Sequence, residues 1–385
     1  MQLDKQVISP IRRLRVLQLS RWLFDSEYGG IQAYLATFPR ILPSSQYELL
    51  YAALMPGERP RYAASSVYLG RSVRSKVVNA ILLRRWLAKA LGDIDIVHVH
   101  GVTDWHFIVG SLLCWYSRVP FIVTPSGGLL PESMAVTVRR RLVSSIFFSL
   151  CGRFLLRKAY AVIATSQREM DCLLRLDRKI PVLTIPHGVS IPAMPRHAKP
   201  DGAGALRVIF LGRIDLIKSI PTLLEALSLL RKRGLRVQLD VLGRGAEDYV
   251  GSLVSMASDL GVAEQIVWHG HIVGDEKRQL LVRADVLVLP SLSENFGYAA
   301  AEAMAEGIPV VVSDHVGLAS YVAEHDAGTI FRHKDSVGLA EALQEYSSGR
   351  VVERRGMNAY LLACKEFSLE KMGERLGGLY AKAAG

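Results

Sequence analysis

Two glutamates eight residues apart, Glu294 and Glu302, stand in the segment PSLSENFGYAAAEAMAEGIPVVVS at 290–313. The pattern places Glu294 in a polar loop after a strand and Glu302 inside an Ala-rich helix. That helix begins at Gly297 and stops at Gly307, with Pro309 just beyond. The two carboxylates therefore occupy different tiers of one site. Free N–H groups at the helix start, around Gly297 and Tyr298, favour an anion. A carboxylate beside a phosphate would repel it, so Glu294 and Glu302 suit the hydroxyl donors of a sugar. A second segment, FLGRIDLIKSIPTLLEA at 210–226, puts Arg213 and Lys218 in the loop between a strand and a helix. A planar guanidinium fork with an ammonium beside it is a diphosphate site. One strand-end cation is ordinary solvated surface; this pair takes its weight from the glutamates that accompany it.

The elements that must position these residues are short apolar strands alternating with helical patterns. In the first half the strands are Leu14 to Leu19, Ile94 to Val99, Phe121 to Thr124 and Ala161 to Ala164. In the second they are Arg207 to Leu211, Val237 to Leu242, Ile266 to His269, Val286 to Leu289 and Val310 to Val312, with a helix over Ile220 to Arg233. Such alternation means parallel sheets covered on both faces. The stretch IPAMPRHAKPDGAGA at 191–205 has no periodicity and carries three prolines, which marks a linker. The expected organisation is a Rossmann-like domain over 1–190, the linker over 191–205, and a second Rossmann-like domain over 206–365. Ligands of doubly wound sheets bind beyond the carboxyl ends of the strands, so the expected site is a cleft that the two domains face.

Composition narrows the class. Half of the 385 residues are hydrophobic and 22% are charged, which excludes a disordered or fibrous chain. Around Phe147 the longest uncharged run is 142–152, too short for a membrane-spanning helix. Charges at Asp4, Lys5, Arg12 and Arg13 with no apolar run between them argue against a signal peptide. The cysteines Cys114, Cys151, Cys172 and Cys364 have no metal-ligand spacing and read as reduced core thiols. The net charge is +11, unevenly spread: residues 1–198 hold 26 Lys and Arg against 12 Asp and Glu, while 199–385 hold 21 against 24. The first half is built to face something anionic. Two basic amphipathic stretches lie in it. One runs over 71–91 with Arg74, Lys76, Arg84, Arg85 and Lys89. The other runs over 133–158 with Arg139, Arg140, Arg141, Arg153, Arg157 and Lys158. They suit an anionic membrane surface. The half lacks interleaved aromatic β motifs, a recognition helix or zinc spacing, so no nucleic-acid partner is expected.

The succession FLGRIDLIKSIPTLLEAL, VLGRG and PSLSENFGYAAAEAMAEGIPVVVSD resembles the nucleotide-sugar domain of retaining GT-B glycosyltransferases of family 4, the glycosyl transferases group 1. GGIQAYL at Gly29, DIVHVHG ending at Gly101, VTPSGGLLP at Val123 and IPHGV at Ile185 extend the resemblance over nearly the whole chain. The closing FSLEKMGERLGGLY resembles the last family helix, which crosses back to the first domain over 366–385. The resemblance implies that Arg213 and Lys218 neutralise the donor diphosphate, that Glu302 holds the ribose hydroxyls and that Glu294 lies beside the donor sugar. It implies backbone donors at Asn295, Phe296 and Gly297, close approach of Gly30 to the diphosphate, and a donor pocket walled at Gly212 and Gly243. Many members carry His or Arg where Ser126 stands beside Gly127, and Asn where His187 stands. His100 is thus the candidate for a catalytic imidazole here, with His106, Ser126 and Gly127 as further acceptor-side candidates.

The implied activity is metal-independent transfer of a sugar, a hexose by the resemblance, from a nucleoside-diphosphate sugar to a glycan or lipid-diphosphate-linked acceptor. No cofactor is implied. Asp93-Ile94-Asp95 has the form of the metal–nucleotide signature of the other main glycosyltransferase fold, yet it lies at a strand entry, the wrong end of a sheet for a ligand. The implied setting is bacterial surface polysaccharide or lipopolysaccharide biosynthesis, peripheral on the inner face of the cytoplasmic membrane. A nucleotide-sugar epimerase or hydrolase of the same fold would use the same pocket with water in place of the acceptor. A phosphorylase would need a pyridoxal-phosphate lysine, and the sequence places none.

Overall fold

The computed structural model describes residues 12–23, 30–55, 67–68, 75–132, 151–195 and 204–385. Along the first part run β1 (Leu14–Ser20), α1 (Gly30–Ile41), β2 (Tyr47–Ala53), β3 (Val67–Tyr68) and α2 (Lys76–Ala90). These are followed by β4 (Ile96–His100), α3 (Trp105–Ser117), β5 (Phe121–Thr124), α4 (Arg153–Lys158), β6 (Ala161–Ala164), α5 (Gln167–Leu176) and β7 (Val182–Thr184). The seven strands form one sheet in the order β3-β2-β1-β4-β5-β6-β7. Its registered pairs are parallel, Val16 lying opposite Leu49 on one side and Ile96 on the other. The strands are buried on both faces, with Val16, Leu17, Leu19, Ile96, Val97 and Val99 fully enclosed. Each such side chain contributes about 1.5–3 kcal/mol by leaving water. Helix starts follow side-chain capping: Ser75 accepts the Val78 N–H ahead of α2, and Asp104 accepts the Trp105 N–H ahead of α3.

The second part runs β8 (Leu206–Leu211), α6 (Ile220–Lys232), β9 (Val237–Leu242), α7 (Glu247–Asp259), β10 (Ile266–Gly270), α8 (Gly274–Leu281) and β11 (Val286–Leu289). It continues with α9 (Tyr298–Ala305), β12 (Val310–Ser313), α10 (Ala319–Glu324), β13 (Gly328–Phe331), α11 (Ser336–Gln344), α12 (Gly349–Glu366) and α13 (Leu369–Ala384). Its sheet is β10-β9-β8-β11-β12-β13, again parallel. The chain builds outward from β8 to β10, then returns to the other side of β8 with β11. The order therefore reverses between β8 and β11, which is the switch point where a doubly wound sheet opens a crevice at its carboxyl ends. The core of this unit is continuous from Val208 and Phe210 through Leu287 and Val311 to Leu362 and Phe367.

Contacts divide the chain into two compact units. One holds the residues up to Ala164 with Cys172–Leu183 and Gly373–Gly385; the other holds Thr165–Asp171 and Thr184–Met372. The expected boundary at residue 190 thus falls inside the second unit, because Val189 forms a bridge with Ser368 and Pro192 accepts the Tyr360 hydroxyl at 2.8 Å. The return to the first unit occurs at Gly373, inside α13, rather than at residue 366. There Tyr380 bonds His98 Nδ1 at 2.6 Å, which ties the last helix to β4. Residues 196–203 of the expected linker and 133–150 of the second basic stretch lie outside the described residues. Of the four cysteines, all free, only Cys114 is a core thiol, its pKa pushed up to about 12 by burial; Cys151, Cys172 and Cys364 are half-buried.

Candidate active site

At the carboxyl end of the second sheet, the loop after β8 and the loop after β11 are joined directly: the Leu292 N–H donates to the Ile217 carbonyl at 2.7 Å. This contact sits at the β8/β11 switch point, and Lys218 and Glu294 meet beside it. Lys218 ends a short turn, Leu216–Lys218, capped by Asp215, and Ser219 follows in a left-handed conformation with φ of 52°. The turn aims the ammonium of Lys218 at the Glu294 carboxylate, with which it pairs. Both partners are mostly enclosed, their side chains 13% and 23% exposed. A cation and a carboxylate in contact at the mouth of a sheet can receive a ligand with both an anionic and a hydroxyl-bearing part.

Arg213 behaves differently. Its guanidinium is 79% exposed and lies 3.3 Å from Asp215 Oδ2, so it stands on the open rim of the same loop while Lys218 is tucked in. Gly212, which precedes it, lies under the Lys218 stem: a Cβ there would come within 3.6 Å of Lys218 Cε. Gly243, at the end of β9, admits no side chain at all. A Cβ would fall 1.8 Å from the Gly212 carbonyl oxygen, so the loops after β8 and β9 meet backbone to backbone. The residues expected to line the donor pocket at Gly212 and Gly243 are therefore neighbours.

Gly297 caps α9 with φ of 106°, the left-handed region that only glycine adopts readily. Glu302 lies on α9, one turn and a half inward, and both of its carboxylate oxygens are 3.0 Å from Lys277 Nζ on α8. Next to this pair Arg278 Nε bonds Glu306 at 2.6 Å, which raises the guanidinium pKa. Lys277 carries no motif and was not among the expected site residues; its partner is 25 positions away, so only the packing of α8 against α9 reveals it. Asn295 and Phe296 contribute differently from their neighbours. The Asn295 amide donates to Thr165 Oγ1 at 2.7 Å. The Phe296 ring is buried in an aromatic group with His187 at 5.2 Å, Tyr298 at 5.4 Å and Phe367 at 5.6 Å. Their side chains are structural, which leaves main-chain N–H groups as what they can offer a ligand. His187, where the family resemblance leads one to expect Asn, stacks on Tyr298 at 4.8 Å, and burial lowers its pKa to about 3.

In the first unit the histidines depart from expectation. His100 is 1% exposed, with its ring between Tyr34, Phe38 and His98 and its Nε2 2.7 Å from Gln18 Oε1. The expected catalytic imidazole is thus a packed residue of the first sheet, closed off from solvent by these rings. His106 is likewise enclosed at 2% exposure, and its Nε2–H donates to the His100 carbonyl at 2.8 Å. Burial lowers its pKa, and it is a strut for the end of β4 rather than an acceptor ligand. His100 ends β4 and His106 lies in the first turn of α3, and the signal that separates a core residue from a site residue there is the packing of that helix. Ser126 and Gly127 lie at the carboxyl end of β5 in consecutive left-handed conformations, φ 54° and 78°, where they turn the chain sharply. Gly30 opens α1, while its neighbour Gly29 lies outside the described residues.

Asp93 and Asp95, the formal metal-signature pair, engage the start of the first sheet. Asp95 accepts the Arg15 N–H and the Arg12 guanidinium, each at 2.8 Å, and the Asp93 carbonyl accepts Arg15. A different group carries metal-ligand chemistry. After β12 and β13, Asp314, His315 and His333 bring a carboxylate oxygen and two ring nitrogens within 4.8 Å of one another. Burial opposes ionisation of Asp314, but the backbone and ring N–H groups of His333 hold its pKa below the usual range. The sequence shows no ligand spacing here, because the histidines come from two different strand ends.

The model of the glycosyl transferases group 1 matches residues 197–360, and the model of the glycosyl transferase 4-like domain matches residues 51–188. The chain belongs to the group 1 glycosyltransferases. A phosphatidyl-myo-inositol mannosyltransferase of Mycobacterium leprae is 28% identical to this glycosyltransferase over 320 residues, 78% of the chain and 79% of the relative. Among solved structures, Anabaena HepE in complex with UDP matches with a TM-score of 0.76 at 17% identity, covering 96% of this chain and 100% of that one. The lipopolysaccharide outer core galactosyltransferase WaaB matches with a TM-score of 0.70 at 13% identity, covering 96% and 100%. These likenesses establish the GT-B type of fold, two parallel sheets with surrounding helices, for this glycosyltransferase.

Proposed function

We propose that this glycosyltransferase moves a hexosyl group, with retention of configuration, from a nucleoside-diphosphate sugar to a glycan or lipid-diphosphate-linked acceptor in bacterial surface polysaccharide or lipopolysaccharide biosynthesis. The observation that carries the reading is the Lys218–Glu294 pair at the β8/β11 switch point. In this reading Lys218, with Arg213 on the rim, takes the diphosphate; Glu294 leaves its pairing with Lys218 to accept hydroxyls of the transferred sugar; and Glu302, steadied by Lys277, accepts those of the ribose. Breakage of the bond between the anomeric carbon and the phosphate oxygen sends the electron pair to the departing diphosphate. Fixed cations in an enclosed loop stabilise that charge most where it peaks, in the transition state. The acceptor hydroxyl attacks the anomeric carbon from the face the diphosphate leaves, and its proton passes to the departing phosphate oxygen. Lys218, Arg213 and the start of α9 supply the positive charge that a magnesium ion would otherwise bring to the diphosphate, so the transfer is proposed to be metal-independent and to need no cofactor. A structure of HepE holding UDP and the name of the mannosyltransferase relative support a nucleotide-sugar donor and a lipid acceptor.

A peripheral position on the inner face of the cytoplasmic membrane completes the proposal. Among the described residues no helix is long and apolar enough to cross a membrane. On α2, however, Val77, Val78 and Ile81 are exposed together with Arg84 and Arg85, an apolar and basic combination that suits an anionic bilayer surface. The experiment is a panel of UDP-, GDP-, ADP- and dTDP-sugars incubated with the protein and a bacterial lipid extract. Sugar on lipid or glycan supports the reading. Free epimer or free sugar alone, as an epimerase or hydrolase would release, would overturn it.

A further inference from the structure

We propose that Asp314, His315 and His333 form a three-ligand site for a divalent transition metal of the zinc class, which braces the loops after β12 and β13. The three side chains bring one carboxylate oxygen and a ring nitrogen from each histidine within 4.8 Å of one another. The hydrogen bonds show which ring nitrogens face the site. His315 Nδ1 lies 2.8 Å from the Leu292 carbonyl, which can only accept, so Nδ1 carries the hydrogen and Nε2 the lone pair. His333 Nδ1 lies 2.9 Å from Asp314 Oδ1, so these two atoms already stand at the spacing of two ligands of one ion, and His333 gives up the Nδ1 hydrogen when the ion binds. His315, whose second nitrogen donates to a carbonyl, has the ordinary arrangement of a metal ligand. The rings are stacked, 3.7 Å between centroids and 22° between planes, and half-buried.

Two nitrogens and one oxygen are a borderline donor set that suits Zn²⁺, Co²⁺ or Ni²⁺, rather than the all-oxygen shells of Mg²⁺ and Ca²⁺. Zinc bonds of about 2.0–2.1 Å place tetrahedral ligand atoms about 3.4 Å apart, within the 4.8 Å that encloses these three atoms. The remaining coordination is open to water. The site does not include the residues assigned to the diphosphate, so its ion is a brace rather than a Lewis acid for the transfer. The brace bears on the active site through the main chain: the Glu294 N–H donates to the His315 carbonyl at 3.1 Å, and Glu294 pairs with Val316. The inference does not rest on the transfer reading, because metal binding alone tests it.

The full chain, stripped with a chelator, is titrated with Zn²⁺ by calorimetry and with Co²⁺ by visible absorption. One ion per chain is expected, with ligand-field bands of a nitrogen–oxygen site. His333→Ala weakens binding at least about 10-fold and removes the zinc-induced rise in melting temperature, while His325→Ala, at the end of α10 and away from the cluster, leaves both unchanged. His315→Ala gives the same loss; should it fail to fold, His333→Ala decides alone. No binding by the intact chain, or equal binding by His333→Ala, overturns the proposal. The latter result would assign the metal to other histidines or to the cysteines.

Discussion

Glu302 and Lys277 offer the cleanest reading of a single contact. Their pair is half-exposed, so it adds little to stability, but it fixes where the carboxylate points. If Glu302 grips the ribose, Lys277→Ala leaves the fold and kcat within about twofold and raises the donor KM about 10-fold, the effect of losing one charged hydrogen-bond partner in binding. Steady-state kinetics against the donor checks it; an unchanged KM would remove Glu302 from the ribose. The positions of Lys218 and Glu294 were legible in the sequence because each lies in the loop after a strand pattern, and that of Glu302 because it lies in the helix that follows such a loop. Lys277 and the Asp314–His315–His333 group were not, because their partners are brought in by strand order and helix packing rather than by spacing. The burial of His100 was not legible for the converse reason: a strand end looks the same in sequence whether the next helix leaves it open or closes over it.

At the scale of elements, the alternation of buried strands and helices was readable, and the strands at Phe121–Thr124, Ala161–Ala164, Val237–Leu242 and Val286–Leu289 stand where the pattern put them. The strands at Tyr47–Ala53 and Gly328–Phe331 escaped notice. The first carries a glutamate at its second position, and the second is a four-residue segment that begins with a glycine. Two tests belong here. Gly243→Ala forces a Cβ against the Gly212 carbonyl, and denaturant unfolding should show a loss of more than about 2 kcal/mol; wild-type stability would mean that the β8 and β9 loops can part. The second concerns β4. Burial lowers the pKa of His98 from 6.5 to about 3. Below pH 6.5 the unfolded chain takes up a proton that the folded chain refuses, so stability falls as pH drops from 6.5 toward 3. The slope is up to about 1.4 kcal/mol per pH unit for this histidine. Urea midpoints measured across that range should decline, and His98→Gln should flatten the decline in the first unit. An identical pH dependence in the variant would place the acid sensitivity elsewhere.

For the whole molecule the charge is divided, with the basic excess confined to residues 1–198. The Arg153 and Arg157 guanidiniums converge on Asp177, so part of that excess is internally paired, while Arg84 and Arg85 on α2 are exposed or nearly so. Sedimentation with vesicles containing anionic lipid should capture the protein at low salt and release it as salt rises. Arg84→Glu with Arg85→Glu should lower capture, and no binding at any salt would remove the membrane from the account. The central claim, however, lies in the second unit and needs no membrane. Lys218→Ala should retain the wild-type circular dichroism spectrum and lower sugar transfer from the preferred donor at least about 100-fold, since a fixed cation for the departing diphosphate is lost. A folded variant with near-normal turnover would contradict the assignment of the β8/β11 switch point as the place where the diphosphate leaves.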